Sequence, residues 1–395
     1  MKEILLKYDA AKSVYNGHPW VFSSGIKEKD KLNLKEGEIV KLKDQNNKFI
    51  GYACASPLSS IVFRIMERNE NIIPDERWIE NKIISAINFR KKINISSTAK
   101  RLIFSESDSL PGLIVDQYDK TLVCQFHTHW AEKNKNFILE TLIKFTESEA
   151  IIEKNSSDIR KAEHLPVLET QVLRGKIKEA LIIKENELMF YVHPLDGQKT
   201  GWYIDQRENR KIISSYSENL EVLDCFSFTG GFAVNCLKAK AKKVIRLDSS
   251  QGALDIGTEN IKLNGFSPEL SPYICGNAFE ELRKMRDKGL FFDLIILDPP
   301  GLSPSRSSLP KAMRAIKDLN MLGLKLLKPD GLLAVFSCSS ALSREELLLT
   351  LEWASKDTSR EIIIIKEMHL PEDHPRLPSF KEGDYLKGFL CKTIS

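Results

Sequence analysis

Residues 221–235 read EVLDCFSFTGGFAVN. A short apolar run stops on turn residues and two glycines, and an amphipathic stretch follows. That is the strand–loop–helix unit of an open α/β sheet, in which ligands bind at the carboxyl ends of the strands. A dinucleotide site would ask for GxGxxG, so that the backbone can approach a pyrophosphate. Here the two glycines are adjacent and no third follows. The loop suits a small zwitterion better, because backbone amides at a helix N-terminus favour a carboxylate.

The same alternation continues outward from this stretch. "KVIRLD", a helical "SSQGALDIGTENIKLNG", "YICG", "FDLIILDPP", a long basic helical stretch and "GLLAVFSC" come next, followed by a helix from Ser343, "EIIIIKEM" and "YLKGFLCKTI". Seven strands are expected, most of them apolar throughout, as strands covered on both faces by helices should be. The expected fold is therefore α/β, with a Rossmann-like, seven-stranded C-terminal domain over residues 186–395. Residues 1–70 show short β-like runs ("EIVKLKD", "FIGYACA", "SIVFRIM") and read as a small β-rich module. Residues 71–185 read as a central α+β domain. In it Pro74 opens a helix with an apolar stripe at Trp78, Ile79, Ile83, Ile84 and Ile87. "GLIVDQYDKTLVCQF" and "EALIIKENELMFYVHP" read as hairpins, the second turning near Asn186.

At 395 residues, with 42% hydrophobic and 28% charged residues, the chain is long enough for two or three domains. No run approaches the ~18 apolar residues of a membrane span, and "MKEILLKYDAAKS" lacks the pattern of a signal peptide. The seven cysteines are scattered, without a CxxC, so neither a disulfide framework nor a metal site is expected and a reducing cytoplasm is the natural compartment. The net charge is only +4. Between residues 301 and 330, however, Arg306, Lys311, Arg314, Lys317, Lys325 and Lys328 face only Asp318 and Asp330. Such a run is a solvated helix face unless it lies beside the chemistry.

Candidate ligand groups fall at the strand ends. Asp248 closes the second strand, where a carboxylate can hold ribose hydroxyls. A ribose without a pyrophosphate is what S-adenosylmethionine presents. Asn277 follows the third strand, where its amide oxygen could accept from an adenine amine, although asparagine is also common in turns. "LDPPG" ends the fourth strand, and two prolines give a stiff exit that fixes Asp298. "FSCSS" ends the fifth with Cys338, either a small buried plug or a thiolate.

With these residues in view, the chain resembles the RlmI-type family of S-adenosylmethionine-dependent 23S ribosomal RNA methyltransferases that make 5-methylcytosine. "NGHPWVFSSGI" resembles the start of the family's N-terminal PUA domain, an RNA-binding β-barrel, and "DSLPGLIVDQYDKTLVCQF" its central domain. "TGWYIDQR", "VLDCFSFTGGF", "LDSSQGALD", "FDLIILDPP", "IKDLNML", "FSCSS" and "DHPRLPSFKEGDYLKGFLCK" follow in the order of its methyltransferase domain. The resemblance implies a cofactor site at Tyr203, Asp205, Gln206, Asp224, Phe226, Ser227, Gly230, Gly231, Asp248, Ser249, Asn277, Ala278 and Asp298. The third-strand position, usually acidic in the family, is Asn277 here. After the prolines, Gly301 and Leu302 replace the usual polar residue and phenylalanine.

The resemblance makes Cys338 a nucleophile. Carbon 5 of cytosine is not nucleophilic until a thiolate adds to carbon 6, so a cysteine is needed. "SREE" forms a capping box from Ser343 to Glu346, and a nearby helix N-terminus can lower a thiol's pKa. Asp298 would hold the base, while Arg306, Lys311, Arg314 and Lys317 would hold RNA phosphates as the base turns into the pocket. The chain could pair as a homodimer. Competing readings are an exocyclic-amine (guanine) ribosomal RNA methyltransferase, which needs no Cys338, and a non-catalytic RNA-binding ribosome-assembly factor. His127 and His129 share a strand face in "FHTHW" without a third ligand nearby. His18 and Trp20 are expected to be structural, and His374 lies in the loop before the last strand.

Overall fold

The computed structural model describes residues 1–27, 33–156, 158–302 and 308–394. Their contacts divide into two units. The first comprises residues 1–183, 192–204 and 372–380, and the second residues 184–191, 205–371 and 381–395.

In the first unit, β1 (Glu3–Leu5), α1 (Tyr8–Tyr15), β2 (Trp20–Phe22), β3 (Ile39–Lys43), β4 (Phe49–Ala55) and β5 (Ile61–Glu67) form the N-terminal module. Its sheet runs β1-β3-β4-β5-β2, with Val40, Leu42, Ala53, Val62 and Phe63 packed into its core. The chain continues through α2 (Glu76–Lys92), β6 (Ala99–Phe104), β7 (Leu113–Tyr118), β8 (Thr121–Phe126), α3 (His129–Lys133), α4 (Lys135–Phe145), β9 (Ala150–Glu153), α5 (Asp158–Ala162) and β10 (Gln171–Arg174). These strands make a second sheet in the order β10-β9-β8-β7-β6.

Side chains also pack across the boundary expected near residue 70. Cys54 of β4 and Met66 of β5 share one buried cluster with Trp78, Ile79 and Ile83 of α2 and with Leu122 and Phe126 of β8. This shared cluster ties β4 and β5 to the second sheet, beside the separate cluster that fills the N-terminal module. Pro74 does not open α2. Asp75 caps it, its carboxylate accepting from the Trp78 amide at 2.9 Å, and the proline sits one step outside. The hairpin of β11 (Leu181–Glu185) and β12 (Leu188–Val192) turns where expected. Asn186 and Glu187 both have positive φ, at 51° and 66°, the backbone that a two-residue hairpin turn demands.

The second unit is built on β13 (Glu221–Cys225), β14 (Lys243–Asp248), β15 (Tyr273–Cys275), β16 (Phe292–Leu297), β17 (Leu327–Ser337), β18 (Ile362–Met368) and β19 (Lys387–Thr393). The sheet order is β15-β14-β13-β16-β17-β19-β18. The first five are parallel, and β19 inserts antiparallel between β17 and β18. Val222, Leu223, Leu294, Ile295, Ile296, Leu333 and Ala334 are fully buried, which is why these strands carry apolar residues on both faces. The helices between them are α6 (Arg207–Ser214), α7 (Gly231–Lys238), α8 (Gln251–Leu263), α9 (Ala278–Asp287), α10 (Leu309–Leu326) and α11 (Arg344–Thr358). No described helix is long and apolar enough to cross a membrane.

This order positions the site. The chain starts at β13, moves out to β14 and β15, and returns to the other side of β13 at β16. Cys225 and Leu297 are register partners at the two carboxyl ends. The loops after β13 and β16 therefore leave side by side in opposite directions, opening the crevice in which α/β sheets bind ligands.

Candidate active site

The loop after β13 has an unusual backbone. Phe226, Phe228 and Gly230 all have positive φ, at 62°, 47° and 77°. Glycine adopts that conformation freely, but each phenylalanine there costs on the order of 1–3 kcal/mol. The surroundings hold the strain in place. The amides of Phe226 and Ser227 both donate to the Leu247 carbonyl, at 2.7 and 3.1 Å. The Phe228 amide donates to Oδ2 of Asp248 at 2.9 Å, and Oδ1 of Asp248 accepts from the Ser250 amide. Asp248 thus shapes the loop.

Beneath the loop lies Asp224, fully buried at the end of β13. Neither of its carboxylate oxygens makes a well-formed hydrogen bond to a described residue; the Oγ of Ser227 and the Oγ1 of Thr229 are likewise buried without one. Burial first, and then the charge of Asp298, push the Asp224 carboxyl up to about 8, opposed only in part by Arg246 and the Ala233 amide. Unsatisfied buried acceptors whose charge Arg246 balances only in part await a ligand that brings both donors and positive charge. S-adenosylmethionine, with an ammonium, a sulfonium and ribose hydroxyls, fits that demand.

Asp298 begins the loop after β16. Its Oδ2 accepts from the Gln206 side-chain amide at 2.9 Å, and Gln206 in turn accepts from Asn209 at 2.6 Å. Asp205, next to Gln206, accepts from the Tyr385 hydroxyl at 2.7 Å. Gln206 and Asp298 are thus joined directly, and Asp205 adjoins them through the chain. Tyr203 belongs to the first unit, where its hydroxyl donates to Gln198 at 2.6 Å. Gly231 and Ala278 open α7 and α9. Ser249 is exposed, and its carbonyl accepts from the Cys275 thiol at 3.6 Å. The amide oxygen of Asn277 caps α9 by accepting from the Phe279 amide at 2.9 Å. The turn reading accounts for that contact, since an asparagine at a helix start satisfies an otherwise orphaned N–H.

Cys338 follows the last residue of β17, one strand over from Asp298. Its thiol is part-exposed and donates to the Pro299 carbonyl at 3.8 Å. A Cβ on Gly301 would stand 3.8 Å from Sγ, so glycine leaves the space over the thiol open. Beyond Cys338 the expected capping box is present, Ser343 and Glu346 each accepting from the other's backbone N–H, at 3.1 and 2.6 Å. Lys387, the first residue of β19, pairs with Ser337 across the sheet. It is buried, and its Nζ donates to the Ser339 carbonyl at 3.0 Å.

Of the expected RNA-holding residues, Arg306 lies outside the described residues. Lys311 and Arg314 are exposed on α10, whereas Lys317 is ion-paired with Asp357 of α11. His127 and His129 do not share a strand face: β8 ends at Phe126, and His129 opens α3. Burial and, next, Arg160 push the His127 imidazole down to about 4. Among the described residues no group could hold a metal ion. Trp20 donates to Glu106 at 2.9 Å and His18 packs edge-on to Phe380. His374 is buried, 3.0 Å from Asp373, and belongs to the first unit.

Sequence reasoning missed Tyr385, Lys387 and Asn209. The first two alternate within "DYLKGF", so an extended segment points both the same way. That spacing was visible in the sequence, but nothing in it distinguished a buried lysine from a solvated one.

The fold and cradle define a class I methyltransferase. A family model described as S-adenosylmethionine-dependent methyltransferase matches residues 112–392, and one described as a PUA-like domain matches residues 4–68. The chain belongs to the S-adenosylmethionine-dependent methyltransferase family that includes ribosomal RNA large subunit methyltransferase I. The relative of that name from Pseudoalteromonas translucida is 33% identical over 393 residues, 99% of each chain. The one from Vibrio cholerae is 37% identical over 388 residues, 97% of each. Among solved structures, a protein described as a methyltransferase complexed with S-adenosylhomocysteine superposes with a TM-score of 0.87 at 20% identity, covering 99% of this chain and 100% of that one. A Streptococcus mutans protein described as S-adenosylmethionine-dependent gives a TM-score of 0.84 at 20% identity over the same shares.

Proposed function

We propose that the chain methylates carbon 5 of a cytosine in 23S ribosomal RNA, with Cys338 as the covalent nucleophile. The observation that carries this reading is the thiol at the carboxyl end of β17, 3.8 Å from the Pro299 carbonyl that follows Asp298. The full-length relatives named ribosomal RNA large subunit methyltransferase I support the RNA part. An amine methylation would leave such a thiol without a task.

Asp224, Ser227, Thr229 and Asp248, with Asp205 and Gln206, would hold S-adenosylmethionine, which supplies an electrophilic methyl group. The chain's own residues do the rest. Cys338, as thiolate, adds to carbon 6 of the base, and the ring electrons gather at carbon 5. Asp298, held by Gln206, binds the Watson–Crick edge and fixes the ring. Carbon 5 would then take the methyl group that the cofactor supplies, the bonding pair staying with the cofactor's sulfur. A base then removes the carbon 5 proton, and the electron pair re-forms the ring double bond and expels the Cys338 thiolate. Lys311 and Arg314 would hold phosphates at the mouth.

The test is incubation of the protein with labelled S-adenosylmethionine and protein-free 23S RNA, followed by nucleoside analysis, with Cys338→Ala in parallel. Labelled 5-methylcytosine from the wild type and none from the variant is the expected result. Labelled methylguanine, or undiminished 5-methylcytosine from Cys338→Ala, overturns it. RNA carrying 5-fluorocytosine should trap a covalent adduct only when Cys338 is present.

A further inference from the structure

The thiol needs a cation, and the helix that follows does not supply a strong one. The first turn of α11 is closed on itself by the Ser343–Glu346 capping box, and Glu345 and Glu346 set negative charge against the positive end of the helix dipole. Arg344 is committed to an ion pair with Glu367. A different cation lies inside the sheet.

We propose that Lys387 is a positioning residue for the Cys338 thiolate, its buried ammonium clamping the turn that carries the thiol and favouring the thiol's ionised form. Three observations carry this. Lys387 is the register partner of Ser337, the residue before Cys338. Its Nζ donates to the carbonyl of Ser339, the residue after Cys338, at 3.0 Å, and lies 3.5 Å from the Tyr385 carbonyl. It is only 5% exposed, yet the oxygens that receive it are neutral carbonyls. A lysine so placed is costly unless an anion balances it.

The charged groups that face it are Asp384 from the loop before β19, Arg344 and Glu346 from the start of α11, and Cys338 itself. Burial pulls the ammonium below its usual range; Asp384, Cys338 and Glu346 pull back while Arg344 adds to the fall. Deprotonated, Cys338 is the anion among them that touches the chemistry. When the thiol ionises its proton goes to solvent, and Lys387 keeps its own proton throughout. It contributes charge and geometry to the nucleophile and transfers nothing.

This inference rests on the reading of Cys338 as the nucleophile, and its test avoids RNA so that the two can fail separately. The intact protein is alkylated with iodoacetamide from pH 5.5 to 10, and modification of the Cys338 peptide is followed by mass spectrometry. In the wild type the midpoint should fall at least a unit below the ~8.5 of a free thiol. In Lys387→Gln, which keeps a donor but no charge, it should rise by about a unit, and alkylation at pH 7 should slow roughly tenfold. Lys387→Arg should restore the low midpoint.

A wild-type midpoint at or above ~8.5 overturns the proposal whatever the variants do. So does a Lys387→Gln midpoint equal to that of the wild type. If the midpoints move as expected but Cys338→Ala still makes 5-methylcytosine, the thiol is tuned as proposed and the catalytic reading fails. If Cys338→Ala is inactive and the midpoints do not move, only the role of Lys387 fails.

Discussion

Gln206 donates a 2.9 Å hydrogen bond to Oδ2 of Asp298, joining a segment just ahead of β13 to the loop that leaves β16. The same glutamine accepts from Asn209 at 2.6 Å, so its amide cannot flip without losing both contacts. The bond holds the carboxylate proposed to bind the base, whose charge is also felt by the buried Asp224.

Gln206→Leu should therefore lower methyl transfer while leaving the fold intact. A lost hydrogen bond to a charged acceptor is worth about 1.5–3 kcal/mol, or roughly a 10- to 100-fold fall in kcat/KM. Steady-state kinetics on 23S RNA check it. A kcat/KM within a factor of two of the wild type would mean that Asp298 needs no such support.

Gly230 sits at φ 77° between Thr229 and the first residue of α7. A Cβ there would meet Arg246 Cδ at 3.4 Å and Gly257 Cα at 3.6 Å. These are ordinary contacts, so the penalty of Gly230→Ala is one of backbone conformation, about 1–2 kcal/mol. Thermal unfolding should show a drop of about 2–4 °C, and calorimetry should show weaker S-adenosylmethionine binding, since the strained loop is the cradle. Unchanged stability and affinity would remove the conformational argument.

Lys311 and Arg314 are exposed on α10, but Lys317 is paired with Asp357. If the first two reach phosphates, Lys311→Gln and Arg314→Gln should each flatten the slope of log affinity against log salt by about 0.7–0.9. Lys317→Gln should change it less, because its charge is already partly spent within the protein. Filter binding at several salt concentrations gives the slopes. Equal effects from all three would show that the Asp357 pair opens on binding.

Much of this arrangement was legible because its signals are local. The seven strands, the Asn186 turn and the Ser343–Glu346 capping box each depend on residues within a few positions of one another. The rest depends on what lies across the sheet. No propensity scale places Phe226 and Phe228 at positive φ; the Leu247 carbonyl and the Asp248 carboxylate of the neighbouring strand hold them there. Asn277 stands in the expected place, but its oxygen is occupied by a helix start. Nothing in "YLKGF" marks Lys387 as buried; that follows from β19 lying between β17 and β18. The packing across residue 70 is built from side chains far apart in sequence, which no local pattern displays.

The cluster of Asp224, Asp298 and Asp248 gives the cofactor site a pH signature whose sign can be worked out. The Asp224 carboxyl is pushed up to about 8 from an ordinary 3.8, by burial first and Asp298 second. Between those two values the folded, ligand-free protein holds a proton that the unfolded chain has released. Its stability therefore falls as pH rises through that window and levels off above 8. A cation bound against this carboxylate lowers its pKa, so binding below pH 8 expels the proton. S-adenosylmethionine affinity should accordingly rise from pH 6 toward 8 and then flatten, with proton release that calorimetry in buffers of different ionisation enthalpy can count. Asp224→Asn should bind more weakly at pH 8.5 and lose this component. The ligand's own amine titrates alike with both proteins, so the difference between them isolates Asp224. Equal proton release from wild type and Asp224→Asn would mean that the carboxylate is already ionised before the cofactor arrives.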